Sequence, residues 1–378
     1  MSSSNQAPEA EREGALVGVL GAGQLGRMLA LAGRALGLRF LFVDPTPHPP
    51  AACLGEHLQL DYASPAALER LAQCDVVTYE FENVPVDPVR AIAAHTLVYP
   101  PVDALAIAQD RWHEKTCFQE LGIPTPAFFN VETKADLERA LTAVGFPAVL
   151  KTRRFGYDGR GQAVLRTDAD AERAYAELGQ VPLLLESFVP FERELSLIGA
   201  RARDGSTRFY PLVENHHREG ILRLTLAPAP DITADRQRAA EGYMTALFDR
   251  TGYVGVLALE LFQADGRLVA NEIAPRVHNT GHHTIEAAHT SQFEQHLRAI
   301  LGLPLGSPGL VSPSAMLNAI GRLPDAASVL RVEDAHLHAY GKAARANRKV
   351  GHVTVRAPDW ATLAERLSVL KPMIESPP

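Results

Sequence analysis

Two stretches of this 378-residue chain hold the side chains best suited to chemistry. The first, AVLKTRRFGYDGRGQAVLR at 148–166, brings Lys151 to the end of an apolar strand. Gly156, Gly159 and Gly161 follow before a second strand begins. Glycines let backbone N–H groups fold over an anion, and Lys151, Arg153, Arg154 and Arg160 add positive charge. The loop joins strands, whereas a P-loop opens a helix. It reads as a flap over nucleotide phosphates, the plainer alternative being a solvated basic hairpin. The second stretch, VGVLALELFQADGRLVANEIAPRVHNTGHH at 254–283, carries Glu260 and Glu272 on apolar strands flanking Ala264-Asp265-Gly266. A three-residue turn sets Glu260 opposite Ala270 with Glu272 diagonal on the same face. Their Cα atoms would then be ~7–8 Å apart, near enough for both carboxylates to share magnesium. A two-residue turn at Asp265-Gly266 would send them to opposite faces. A lone carboxylate among apolar neighbours is costly without a cation, which favours the metal reading over a solvated acidic pair. Arg276, His278, Asn279, His282 and His283 follow at once. Without His-Glu-x-x-His spacing or a cysteine partner, they fit polar recognition of a substrate better than a zinc site.

A third cluster, AYGKAARANRKVGHV at 339–353, crowds Lys342, Arg345, Arg348 and Lys349 into a turn before a strand. In a chain of net charge −7 with only six lysines, this reads as a phosphate socket or else a solvated basic loop. VVTYEFENVP at 76–85 ends a strand with Glu80, Glu82 and Asn83, where ligands bind in parallel sheets.

The elements that must position these groups follow from the hydrophobic pattern. Leu16–Leu20 is a buried strand, and Gly21, Gly23 and Gly26 form a G-x-G-x-x-G turn before an apolar helix at Met28–Leu36. Arg39–Val43 then ends in Asp44, where a ribose would meet an acid, so this segment alone points to a dinucleotide. Further strands near Val76–Glu80 and Leu97–Tyr99, with helices between, indicate a parallel sheet. A helix running to Leu121 and a Gly-Ile-Pro-Thr-Pro connection mark a boundary. The middle of the chain mixes helices with antiparallel strands, including an Asp204-Gly205 hairpin within 193–214. After the linker LPLGSPG come strands at Ser314–Ile320 and His352–Val355.

An apolar fraction of 46% and a charged fraction of 21% are those of a globular chain, and the acidic balance argues against a general nucleic-acid binder. Cys53, Cys74 and Cys117 form no disulfide or C-x-x-C pattern, which fits a reducing cytoplasm. Residues 1–13 read as a disordered tail with no apolar signal, and no run is long enough for a membrane span.

GAGQLGRM (21–28), FGYDGRGQ (155–162), NEIAPRVHNTGHHT (271–284), SQFEQHLRAI (291–300) and RKVGH (348–352) together resemble the ATP-grasp superfamily. Within it the chain is similar to the N5-carboxyaminoimidazole ribonucleotide synthases, with the motifs in family order across 14–357. The resemblance implies an α/β and α+β ATP-grasp architecture. The disordered tail would occupy 1–13, a Rossmann-like domain 14–110, an ATP-grasp domain 111–305 with a phosphate flap at 155–162, and a small β-containing domain 306–378. It implies ATP contacts from Arg111, Lys151, Gly156, Tyr157, Asp158, Gly159, Arg160, Gly161, Gln162, Glu194, His217, Asn271 and Glu272. Glu186, Ser187, Phe188 and Val189 would be the connector at the adenine edge. Glu260 and Glu272 would hold Mg2+.

The ribonucleotide would lie between Gln24, Leu25, Glu82, Asn279, Lys342, Arg348 and Lys349. Lys151, Tyr157, Asp158 and Arg276 are the catalytic candidates, with Asp158 handling a proton. The expected partners are 5-aminoimidazole ribonucleotide, bicarbonate and a second copy of the chain. Neither NAD nor biotin is expected, nor nucleic acid or membrane. The glycine turn would then face the ribonucleotide, and Asp44 would serve the turn before Pro45. Ala346-Asn347 stands where relatives often have Pro-Gly. The rival readings are a formate-dependent glycinamide ribonucleotide transformylase, whose flap is serine-rich, an NAD-dependent dehydrogenase, or a nucleotide sensor without turnover.

Overall fold

LVGVL and RFLFV are continuous apolar runs, as strands covered on both faces require. Val17, Val19, Leu20 and Phe40–Val43 are accordingly buried. In the computed structural model, which describes residues 14–156 and 159–375, these runs form the centre of a four-stranded parallel sheet. Leu16–Leu20 pairs with Arg39–Val43 on one side and Val76–Tyr79 on the other, with Glu56–Leu58 at the edge. The expected strand at Leu97–Tyr99 is only a parallel bridge between Val77 and Val98. The tail at 1–13 and the flap residues Tyr157 and Asp158 lie outside the described residues.

Two helix boundaries differ from expectation. The first helix spans Gln24–Arg34, four residues earlier than the apolar pattern indicates, because a carboxylate from another strand caps its N-terminus. The single helix expected up to Leu121 is two, Val102–Ala108 and Arg111–Glu120. Asp110 breaks them apart as the N-cap of the second, accepting from Trp112 N at 3.0 Å.

The middle of the chain forms a small antiparallel sheet in the order Phe128–Val131, Leu183–Ser187, Ala148–Thr152, Gln162–Leu165. Helices Lys134–Val144 and Asp168–Leu178 cover it, each opened by a reciprocal Thr/Asp capping box. A nine-stranded sheet faces the flap, with the Gly255–Ala264 and Arg267–Ala274 hairpin at one edge. The expected Asp204-Gly205 turn joins Arg193–Arg201 to Thr207–Phe209. Strands beyond residue 305 continue this sheet, since Ser314–Leu317 pairs with Leu224–Ala227. The helix Trp360–Glu375 seals it with Leu363, Leu367 and Leu370. No described helix is long and apolar enough to cross a membrane.

Helix Gln292–Leu301 locks the parallel sheet to the large one. His296 accepts from Val256 N at Nδ1 (3.1 Å), so its Nε2 carries the hydrogen and donates to Thr78 Oγ1 at 2.9 Å. Burial pushes His296 down to about 3 and His283 to about 4, and it holds His282 and His352 well below the ordinary histidine value. These groups bind protons less readily folded than unfolded, so stability is present above the ordinary histidine value and falls as the pH drops through it. At pH 5 His296 and His283 are each expected to have lost about 2 kcal/mol relative to pH 7, and His282 and His352 act in the same direction. Urea titrations across that range measure the slope, which His296→Leu should make shallower.

Candidate active site

The acidic hairpin turns through two residues, Asp265 and Gly266, at φ +48° and +72°. Both sit in the left-handed region that matches strand twist. The three-residue turn and the Glu260–Ala270 pairing expected from sequence are therefore absent. Pairing runs from Ala264–Arg267 to Leu261–Ala270, after which a β-bulge leaves Asn271 unpaired and sets Glu260 directly opposite Glu272. The bulge reverses the face-splitting that a two-residue turn would otherwise cause. Directly opposed residues share one face, with Cβ atoms roughly 4.5–5.5 Å apart.

Helix Arg111–Glu120 packs beneath this hairpin and presents Arg111, Glu114 and Lys115 on one side. Arg111 Nη1 donates to Glu272 Oε2 at 2.7 Å. Glu114 Oε1 accepts from Ile273 N at 2.6 Å, and Lys115 Nζ donates to Ala270 O at 3.3 Å. Burial pushes Glu272 upward, but Arg111 outweighs it by charge and hydrogen bond and holds the carboxyl at about 2. Burial and then the Glu272 charge raise Glu260 to about 7, with His278 Nε2 at 3.3 Å from its Oε1. Asn271 Oδ1, in the bulge between them, is buried without a hydrogen-bond partner. Two opposed carboxylates and an orphaned amide oxygen form an all-oxygen donor set suited to a hard divalent cation.

A cavity of about 1050 Å³ opens over this hairpin. Of the site residues implied by the resemblance that lie within the described residues, all but Gly161 line it. Its lining includes Arg111, Lys151, Gly156, Gly159, Arg160, Gln162, Glu186–Val189, Glu194, His217, Asn271 and Glu272, together with Glu260. Lys151 Nζ donates to Glu186 Oε2 at 2.7 Å, and His217 Nδ1 lies 2.8 Å from Glu194 Oε2. Gly161 instead closes the flap's base, accepting from Thr152 N at 2.7 Å. Arg153 and Arg154 do not line this cavity. Arg153 forks onto Asp110 at 2.8 and 2.9 Å, and Arg154 donates to Gln109 Oε1. They tie the flap's stem to the helix that carries Arg111. Gly159, at φ +76°, lies so close to the Glu219-Gly220 turn that a Cβ would come within 3.0 Å of Glu219 O.

Gln24, Leu25, Glu82, Arg276, Asn279, Lys342, Arg348 and Lys349 line the cavity as well. Here the opening glycine turn holds a carboxylate of its own chain. Gly23 N donates to Glu80 Oε1, and Gly26 N to Glu80 Oε2 at 2.7 Å. A dinucleotide's pyrophosphate would need these same donors at the helix N-terminus. Asp44 is spent on the turn, accepting from Ala22 N at 2.9 Å and Thr46 N at 2.8 Å. Arg276 Nε donates to Glu82, Lys342 to Gln24, and the Asn279 and Asn318 amides pair reciprocally at 2.8 and 3.0 Å. Asn347 takes φ +59° in the basic turn, a left-handed conformation that asparagine tolerates better than most residues. Glu80, His278 and Arg345 line the cavity from segments already singled out, whereas Glu114, Lys115 and Asn318 were missed. The i, i+3, i+4 spacing of Arg111, Glu114 and Lys115 was a usable signal, since it places three charges on one helix face.

A phosphate flap, an opposed acidic pair and a pre-domain without a free dinucleotide site together define an ATP-grasp ligase. Residues 116–293 match the family model of the ATP-grasp domain, and 15–109 that of the ribonucleotide synthetase preATP-grasp domain. Residues 314–366 match the phosphoribosylaminoimidazole carboxylase C-terminal domain. The N5-carboxyaminoimidazole ribonucleotide synthase of Pseudomonas aeruginosa is 55% identical, over 95% of this chain and 99% of that one. That of Brucella melitensis is 45% identical over 91% and 96%. The crystal structure of the Thermus thermophilus synthetase superposes with a TM-score of 0.92 at 53% identity, covering 96% and 99%. The Aspergillus clavatus enzyme in complex with ADP and 5-aminoimidazole ribonucleotide gives 0.86 at 32% identity, covering 96% and 98%. The chain belongs to the N5-carboxyaminoimidazole ribonucleotide synthase family, ATP-grasp ligases of purine biosynthesis.

A Cβ at Gly23 would fall 2.5 Å from Glu80 Oε1. Gly23→Ala should therefore displace the cap and lower the unfolding free energy in urea by roughly 1–3 kcal/mol, the cost of stranding buried donors.

Proposed function

We propose that the chain carboxylates 5-aminoimidazole ribonucleotide at the expense of ATP and bicarbonate, yielding N5-carboxyaminoimidazole ribonucleotide, ADP and phosphate. The observation that carries the reading is one continuous cavity lined by the flap, the acidic pair and the Lys342–Lys349 basic turn. ATP would lie under the flap, its adenine edge against Glu186–Val189 and its ribose at Glu194 and His217. Glu260 and Glu272, with Asn271, would hold Mg2+, which when bound neutralises phosphate charge. The ribonucleotide would occupy the rest of the cavity, its phosphate at Lys342, Arg348 and Lys349 and its base between Gln24, Leu25, Glu82 and Asn279. In this reading residues 14–110, 111–305 and 306–378 act as the three units of the enzyme, working as a homodimer in the cytoplasm.

Bicarbonate is a weak electrophile, so an oxygen of it takes the γ-phosphoryl group and ADP leaves. Phosphoryl transfer needs positioning and charge neutralisation more than covalent help, which Arg111, Lys151 and Arg160 are placed to give. The carboxyphosphate formed loses phosphate to give carbon dioxide, and the ribonucleotide's amine attacks that carbon and releases a proton. Flap closure onto the Glu219-Gly220 turn would exclude water during the labile stage. Tyr157 and Asp158, outside the described residues, would reach the amine from the flap, with Asp158 taking the proton. Arg276, anchored on Glu82, would hold the anionic reactant between ATP and the ribonucleotide.

ADP release from Mg·ATP should require both bicarbonate and the ribonucleotide, and Glu272→Gln should lower kcat on the order of 10²–10³-fold without unfolding the chain. Activity with formate and glycinamide ribonucleotide instead, or tight NADH binding without ADP release, would overturn the reading. Burial pushes the Lys342 ammonium down to about 8, with Glu80 opposing and its basic neighbours assisting. Its charge is present below that value and lost above it, so KM for the ribonucleotide should rise about fivefold between pH 8 and 9. Lys342→Met should show a raised KM that no longer responds to pH in that interval.

A further inference from the structure

Lys115 is fully buried, does not line the cavity, and belongs to no part of the mechanism above. Its Nζ lies 3.3 Å from Glu186 Oε1, while Lys151 Nζ holds Glu186 Oε2 at 2.7 Å. One buried carboxylate thus carries two ammonium groups, of which only Lys151 reaches the cavity. We propose that Lys115 is a positioning residue for nucleotide binding: by remaining on Glu186, it frees Lys151 to leave that carboxylate for a phosphate. The assignment rests on the ATP reading above and deepens it.

The physical argument is one of charge balance. In a simple Lys151–Glu186 pair, moving the lysine to a phosphate would strand a buried carboxylate, and an uncompensated buried charge is far costlier than a broken surface pair. With Lys115 in place the carboxylate keeps a counter-ion wherever Lys151 goes. Lys115 is itself held by Ala270 O in the acidic hairpin and attracted by the Glu114 charge of its own helix, so it does not follow Lys151 outward. The surplus positive charge is therefore directed into the cavity through Lys151 alone. Were Lys115 only filling space, an apolar side chain of similar length would serve as well.

Calorimetric titration of the full chain with Mg·ATP, and separately with 5-aminoimidazole ribonucleotide, separates these possibilities. Lys115→Met should raise the Kd for Mg·ATP on the order of 10- to 100-fold, because Glu186 then retains Lys151. The ribonucleotide Kd should stay within about twofold, since none of the groups assigned to it changes. Lys115→Arg keeps a positive charge beside Glu186 and should hold the Mg·ATP Kd within a few-fold of the wild type. Unchanged ATP affinity in folded Lys115→Met, or a folded Lys115→Arg no better than Lys115→Met, would overturn the assignment. If Lys115→Met does not fold, Lys115→Gln and Lys115→Arg give the same comparison. A folded wild-type chain that binds no ATP would overturn the nucleotide reading itself, a result distinct from variants that bind it as the wild type does.

Discussion

Two carboxylates held face to face repel one another, and the active site is organised around relieving that repulsion. Glu260 and Glu272 share a face because a bulge at Asn271 slips the hairpin register by one residue. Arg111 holds Glu272 in its charged form, while burial and the Glu272 charge raise Glu260 toward neutrality against the pull of His217 and Lys349. The pair is thus a site with unmet negative charge, and a divalent cation between nucleotide phosphates and protein would satisfy it. Helix Arg111–Glu120 supplies the fixed compensation from below. The Asp110–Arg153 fork ties that helix to the stem of the flap above, so floor and roof are parts of one charge network.

The glycine turn shows how a shared fold is diverted to a different use. The strand–turn–helix keeps the shape that elsewhere cradles a pyrophosphate, with donors directed from the helix N-terminus. In this chain Glu80 fills that cradle from the neighbouring parallel strand, and the small glycines leave room for it. The result is a capped helix whose first residues, Gln24 and Leu25, line the cavity beside Lys342. A motif of dinucleotide-binding form here lines a cavity and holds a carboxylate of its own chain.

Much of this was legible from local chemistry. The glycine and arginine content of 155–162 set that segment apart, and the apolar runs around Leu16–Leu20 and Arg39–Val43 marked buried parallel strands. Glu260 and Glu272 were identifiable because acids are conspicuous in strands otherwise made of Leu, Val and Ala. Arg153 and Arg154, by contrast, resembled phosphate ligands by composition and are structural ties. Nothing local in a run of four basic residues says which of them will meet Asp110 and Gln109 from another element.

The sequence alone determined most of the segments that form strands and helices, and which stretches concentrate charged and glycine residues, since both follow from residue type and short-range periodicity. The register at Asn271, the occupation of the glycine turn by Glu80, and the sharing of Glu186 by Lys115 and Lys151 were decided only by tertiary structure. Each joins residues about a dozen to sixty or more positions apart. The balance between burying a charge and finding its partner is settled by packing, which no window along the chain contains.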